Sequence, residues 1–192
     1  MSGYDPTVLP PDLPVPQDDG AASHLAGMDV PAIELPSTDG TIVNVGLLAH
    51  DLTVLYCYPR AGQPGQPPPP QWDLTPGARG CTPQSLGFRA EHDALRALGA
   101  RVVGLSVQSV LEQREFAERT GLPYALLSDP ALRLADAMRI PTFEFDGVRL
   151  YKRITLVLER GRVVHAFYPV FPPNENAAEV RRWLRDRRAA DA

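Results

Sequence analysis

This chain of 192 residues has two cysteines, and they stand in opposite surroundings. Cys57 lies inside Thr53-Val54-Leu55-Tyr56-Cys57-Tyr58, a continuous β-prone run in which a thiol serves as a small buried hydrophobe. Cys81 follows Gly77-Ala78-Arg79-Gly80 and precedes Thr82-Pro83-Gln84, a polar, glycine-containing setting. Proline is tolerated only in the first turn of a helix, so Pro83 places Cys81 at a helix N-terminal end. Unpaired amides and the helix dipole favour an anion there, which raises the thiolate fraction. Arg79, beside it in sequence, strengthens that effect. The chemistry on offer is that of a nucleophilic thiolate.

Other chemistries find less support. His24, His50, His92 and His165 lie far apart, without metal-ligand spacing, so no metal is expected. Gly62-Gln63-Pro64-Gly65 lacks the lysine and the following helix of a phosphate loop. Gly104-Leu105-Ser106-Val107 lacks the second glycine of a nucleophile elbow. A net charge of −4 argues against general affinity for nucleic acid or acidic membranes. The arginines between Arg181 and Arg188 read as the wet face of a helix whose buried stripe is Val180, Trp183 and Leu184. No run approaches the ~18 apolar residues of a membrane span. Residues 1–30 are acidic and proline-broken, unlike a secretion signal. Two cysteines make no disulfide scaffold, and a reducing, cytoplasmic setting is expected.

The rest of the chain supplies the elements that must hold Cys81. Residues 1–24 carry Pro6, Pro10, Pro11, Pro14 and Pro16 and predict an extended or disordered arm, or a strap on the body. Residues 25–188 form the folded domain. Ile33-Glu34-Leu35 and Ile42-Val43-Asn44-Val45 flank an Asp39-Gly40 hairpin turn. Residues 60–80, with six prolines, exclude helix and central strand and predict an ordered insertion or lid-like loop. Its four consecutive prolines also match a polyproline II ligand. Beyond Cys81 a helix is expected over 82–98, closed by Gly99, then a buried strand over 102–107. Ser109-Val110-Leu111-Glu112 starts a second helix that ends at Gly121. A short strand at 124–127 precedes Asp129-Pro130, which should open another helix. Strands at 153–158 and 162–168 turn at Arg160-Gly161, and a last helix starts near Asn174. Strand-helix alternation followed by a hairpin predicts an α/β fold. Its mixed central sheet lies between helices, a thioredoxin fold with an added N-terminal β-hairpin. In such a sheet Arg153 reaches Cys81.

Tyr56-Cys57-Tyr58-Pro59, Thr75-Pro76-Gly77-Ala78-Arg79-Gly80-Cys81-Thr82-Pro83-Gln84, Leu126-Leu127-Ser128-Asp129 and Arg153-Ile154-Thr155-Leu156-Val157 together resemble the peroxiredoxins. The likeness is greatest to the bacterioferritin-comigratory (Q-type) branch, and it runs from about Gly27 to Leu184. It implies a thiol peroxidase without organic cofactor, acting on hydrogen peroxide or organic hydroperoxides. Cys81 would be the peroxidatic cysteine, and Arg153 the arginine that holds the thiolate and polarises the peroxide. Gln84 would orient that arginine, Thr75 would hydrogen-bond the peroxide, and Pro59 would shield the thiolate. Peroxiredoxins commonly pair, so a homodimer is a further implication.

Two departures stand out. The family packs proline, threonine and cysteine into one short loop, whereas here Thr75 is six residues before Cys81 and Pro59 twenty-two before it. Arg79, by its adjacency to Cys81, would then be a local substitute for part of that work in binding substrate. Many relatives also carry a resolving cysteine five residues after the first, where this chain has Leu86. A one-cysteine cycle follows, with reduction by an external thiol such as thioredoxin, glutaredoxin or a low-molecular-weight thiol. Cys57 stays open as a resolver if the Cys81 helix unwinds. Two other readings remain. One is a different thioredoxin-fold oxidoreductase, against which position 84 counts as glutamine rather than cysteine. The other is a non-catalytic redoxin-fold binding module or redox sensor.

Overall fold

A strand that is apolar on both faces must be covered twice, and Thr53–Cys57 is. In the computed structural model, which describes residues 4–190, all five of its residues are buried. The elements run β1 (Glu34–Pro36), β2 (Ile42–Asn44), α1 (Val45–Leu48), β3 (Thr53–Cys57), α2 (Pro70–Leu74), α3 (Cys81–Ala97), β4 (Arg101–Ser106) and α4 (Val110–Thr120). They continue as β5 (Leu126–Ser128), α5 (Arg133–Met138), β6 (Thr142–Phe145), β7 (Val148–Tyr151), β8 (Ile154–Glu159) and β9 (Arg162–Phe167). A 3-10 turn at Pro173–Glu175 leads into α6 (Asn176–Ala190).

The central sheet has the order β5-β4-β3-β8-β9. Its β5-β4-β3 half is parallel and its β3-β8-β9 half antiparallel. Helical crossovers α3 and α4 dictate the first half, and the Arg160-Gly161 turn dictates the second. Both turn residues have positive φ, 53° and 78°, as a tight two-residue hairpin requires. The result is the expected thioredoxin-type sheet between helices, and β1-β2 is the added hairpin.

Alternation along β3 splits the core in two. Leu55 and Cys57 join one cluster with Val45 and Leu48 of α1 and Leu134 and Met138 of α5. Val54 and Tyr56 join the other, with Phe88 of α3, Phe116 of α4 and Val180 and Leu184 of α6. That second cluster contains Cys81. A period of two in the side chains therefore puts the two thiols on opposite faces of the sheet.

Several elements differ from the sequence-based expectation. Residues 60–80 do contain a helix: α2 is a single turn that opens on Pro70, the one position where proline forfeits no hydrogen bond. It turns Trp72 inward against Phe145, with ring centroids 4.9 Å apart. Phe145 belongs to the β6-β7 hairpin, which the strand pattern did not reveal. The helix expected to open at Pro130 begins at Arg133, because Leu132 takes φ 54° and interrupts it. Asp129 caps it nonetheless. Its carboxylate accepts the amides of Arg133 and Leu134 at 2.9 Å each and the Tyr151 hydroxyl at 2.6 Å. Ser109 forms the expected capping box with Glu112, and Gly121 closes α4 at φ 61°. Of the alternatives for the arm, the structure shows the strap. Ala22 and Leu25 are buried in the core, while Asp19 accepts Lys152 Nζ at 2.6 Å and the Tyr168 hydroxyl at 2.8 Å.

Asp129 is 1% exposed, and removing it strands three donors in a dry interior. Asp129→Ala should cost about 3 kcal/mol in urea unfolding, with an unchanged slope against denaturant.

Candidate active site

The loop before α3 is shaped by Gly80. It takes φ 105°, a left-handed conformation, and a Cβ there would collide with Pro173 and press on Leu9. Only glycine brings the chain into α3 at this angle. Cys81 is then the first helical residue and 3% exposed, with its thiol toward Ala78 O at 3.7 Å.

Arg153, the residue before β8, comes up beneath it. Its Nη2 donates to Cys81 Sγ at 3.3 Å. The same nitrogen meets the carbonyls of Gly77, Ala78 and Arg79 at 3.2, 3.2 and 3.0 Å, so one guanidinium gathers the whole loop. Its Nη1 donates to Gln84 Oε1 at 2.6 Å. Gln84 in turn donates from Nε2 to Asn176 Oδ1 at 3.0 Å, and Thr155 Oγ1 donates to that oxygen at 2.7 Å. Arg153 is 3% exposed and meets no carboxylate among the described residues. A buried cation held only by dipoles is costly unless an anion completes it, and the facing group is the Cys81 sulfur.

The aromatic layer beneath holds α3 in place. Tyr56 donates to Ser85 Oγ at 3.0 Å and stacks on Phe88 at 4.5 Å, while Tyr124 donates to Ser85 O at 2.8 Å. Cys57 has no access to this chemistry. It is fully buried on the other face, and burial, with the Asp129 charge nearby, pushes its thiol pKa far up.

The structure thus brings Cys81, Arg153 and Gln84 together. It does not bring in Thr75, which ends α2 and donates its hydroxyl to Gln71 O at 2.8 Å. Thr75 borders a separate cavity of about 300 Å³ that touches Arg153 but not Cys81. Pro59 is buried, with its carbonyl accepting Ser106 Oγ at 3.1 Å. Arg79 lines the chamber over Cys81, yet its guanidinium is engaged elsewhere. It donates to the Tyr4 hydroxyl at 3.0 Å, Val8 O at 3.1 Å and Asp73 at 3.3 Å. The chamber encloses about 290 Å³ between the arm, the insertion and the start of α3. Asn176, Thr155 and Tyr4 were not found from sequence, because no local spacing links α6, β8 or the arm to Cys81. Thr82 adjoins Cys81, and its buried hydroxyl has no partner. No group of three or more potential metal ligands exists among the described residues.

The redoxin family matches residues 25–181. The chain therefore belongs to the redoxin family, among peroxiredoxins of the Q/Bcp type. It is 30% identical to chloroplastic peroxiredoxin Q of Suaeda salsa over 155 residues, 80% of this chain and 64% of that one. It is 32% identical to peroxiredoxin bcp1 of Schizosaccharomyces pombe over 131 residues, 65% and 60% of the two chains. The chain thus spans less than two thirds of the length of these relatives. Peroxidoxin BcpB from Mycobacterium tuberculosis superposes with a TM-score of 0.68 at 28% identity, covering 85% of this chain and 98% of that one. Peroxiredoxin Q of Xanthomonas campestris gives 0.67 at 26%, covering 84% and 97%.

Because Gln84 and Asn176 hold Arg153 in register with the sulfur, loosening them should be visible in thiol reactivity. Gln84→Leu and Asn176→Ala should each slow alkylation of Cys81 by iodoacetamide at neutral pH by about tenfold, equivalent to ~1.4 kcal/mol of lost thiolate stabilisation. Unchanged rates would mean that Arg153 is held by the carbonyls alone.

Proposed function

We propose that this chain is a thiol-dependent peroxidase that reduces hydrogen peroxide or organic hydroperoxides through Cys81. The observation that carries the reading is the 3.3 Å contact from Arg153 to Cys81 Sγ, where Cys81 lines a partly open chamber. The Cys81 thiolate attacks the terminal oxygen of the peroxide. The S–O bond forms as the O–O bond breaks, and the departing oxygen takes a proton from water to leave as water or an alcohol. Arg153 stabilises the sulfur anion beforehand and the charge passing to the oxygens in the transition state, where fixed donors act most strongly. Gln84 and Asn176 keep it from turning aside. With Thr75 committed to Gln71, the hydroxyls that border the chamber belong to Tyr4 and Thr82.

The sulfenic acid left on Cys81 is resolved from outside. Cys57 is on the opposite side of β3, and Leu86 occupies the place five residues on, so the reading is a one-cysteine cycle with an external thiol. A reducing, cytoplasmic setting would supply one. The other reading, a redoxin-fold sensor or binding module, draws on the displaced Thr75.

Reduced protein mixed with one equivalent of hydrogen peroxide should lose its Cys81 thiol about 100-fold or more faster than free cysteine, and Cys81→Ser should not react. Intact mass should then show one added oxygen and no loss of two hydrogens. Oxidation at the rate of free cysteine would sink the peroxidase reading in favour of the module. A Cys57–Cys81 disulfide would overturn the one-cysteine cycle.

A further inference from the structure

The N-terminal arm and the proline-rich insertion are the two segments in which this chain departs from the compact peroxiredoxin pattern, and in the structure they meet over Cys81. Tyr4 is the meeting point. Its carbonyl accepts the Gly65 amide at 2.9 Å, inside the insertion. Its hydroxyl accepts Arg79 Nη1 at 3.0 Å, and the Arg79 guanidinium carbon lies 4.7 Å from its ring centroid. Gly62 makes room for it, since a Cβ there would come within 2.7 Å of the Tyr4 hydroxyl. Pro6 is buried next to it, and Leu9 leans on Gly80, the residue before Cys81.

Arg79 explains why the arm stays. This side chain is 9% exposed, and its single carboxylate partner among the described residues is Asp73 at 3.3 Å. Its terminal nitrogens also donate to the Tyr4 hydroxyl and to Val8 O, while its buried Nε is left without a partner. Lifting the arm would break the Arg79 bonds to Tyr4 and Val8 and the stacking of its guanidinium on the Tyr4 ring, so docking is favoured by polar as well as by apolar contact.

The docked arm forms one wall of the partly open chamber over Cys81, through Tyr4 and Pro6. Its volume of about 290 Å³ lies at the lower end of the ~300–1,000 Å³ of small-ligand sites. A mixed disulfide requires two sulfurs about 2.05 Å apart. A thiol on a small molecule meets that condition inside the chamber, whereas a thiol carried on a folded protein must first displace Tyr4.

We infer that the arm makes this protein selective for a low-molecular-weight thiol as reductant, with Tyr4 as the residue that decides the selectivity. The inference rests on the peroxidase reading. Cys81–SOH and one small thiol condense to the mixed disulfide and water. A second small thiol then attacks the outer sulfur, releasing the symmetrical disulfide and returning the Cys81 thiolate with one proton.

The test separates this claim from the function beneath it. Cys81 sulfenic acid is formed with one equivalent of hydrogen peroxide in the native chain, Tyr4→Phe and Tyr4→Ala. Its decay is then followed with N-acetylcysteine and, separately, with reduced bacterial thioredoxin as a protein dithiol. The ratio of the thioredoxin rate to the N-acetylcysteine rate should be lowest in the native chain and rise at least tenfold in Tyr4→Ala. Tyr4→Phe, which keeps the ring under Arg79, should fall between them. Circular dichroism of each variant confirms the fold. If no sulfenic acid forms in the native chain, the peroxidase reading fails instead. If the ratio is the same in all three proteins, the arm is no selector and the inference is wrong.

Discussion

A buried guanidinium with no carboxylate partner among the described residues organises this molecule. The terminal nitrogens of Arg153 are met by Gln84, by three loop carbonyls and by the Cys81 sulfur, while its buried Nε has no partner. Three successive carbonyls turn inward to Arg153 only because Gly80 can adopt a left-handed backbone. Gln84 faces it only because α3 starts at Cys81, which puts residue 84 one turn further along the same face. Asn176 reaches Gln84 because α6 packs on the side of the sheet that carries Cys81. If the cation were removed, these groups would have no common centre.

The sheet sets the limits of this arrangement. Adjacent residues of β3 point to opposite faces, so Tyr56 packs beneath α3 while Cys57 points away from it. Of the two thiols, one thus faces Arg153 and the other is part of the apolar core. The same pleat places Arg153, Thr155 and Val157 in one row, from the reacting cation through its support to the core.

Much of this was legible in the sequence. The apolar run at Thr53–Cys57, the capping box at Ser109, the positive-φ turn at Arg160-Gly161 and the proline after Cys81 each carry local physics strong enough to fix an element. Cys81, Arg153 and Gln84 were found because a helix N-terminus and a known motif agree on them. Asn176 and Tyr4 were not, since their roles come from tertiary contacts across 92 and 75 positions that leave no periodic trace. The insertion hid α2, because its prolines mask the one turn in which a leading proline is harmless. Thr75 illustrates the reverse error: residue type and motif match, but three added residues move its hydroxyl onto α2. Ala78 stands in the motif position nearest the cysteine and has no hydroxyl to offer.

The claim on which all of this stands is that Arg153 activates Cys81 beyond merely deprotonating it. It is tested most directly by measuring the second-order rate with hydrogen peroxide against pH in the native chain and in Arg153→Lys. Lysine keeps the charge but loses the planar fork that reaches the sulfur, Gln84 and the loop together. The rate of Arg153→Lys should lie at least about 100-fold below native even on the alkaline plateau, where both thiols are fully ionised. Equal plateaux would contradict the account and leave Arg153 as no more than a positive charge near a thiol.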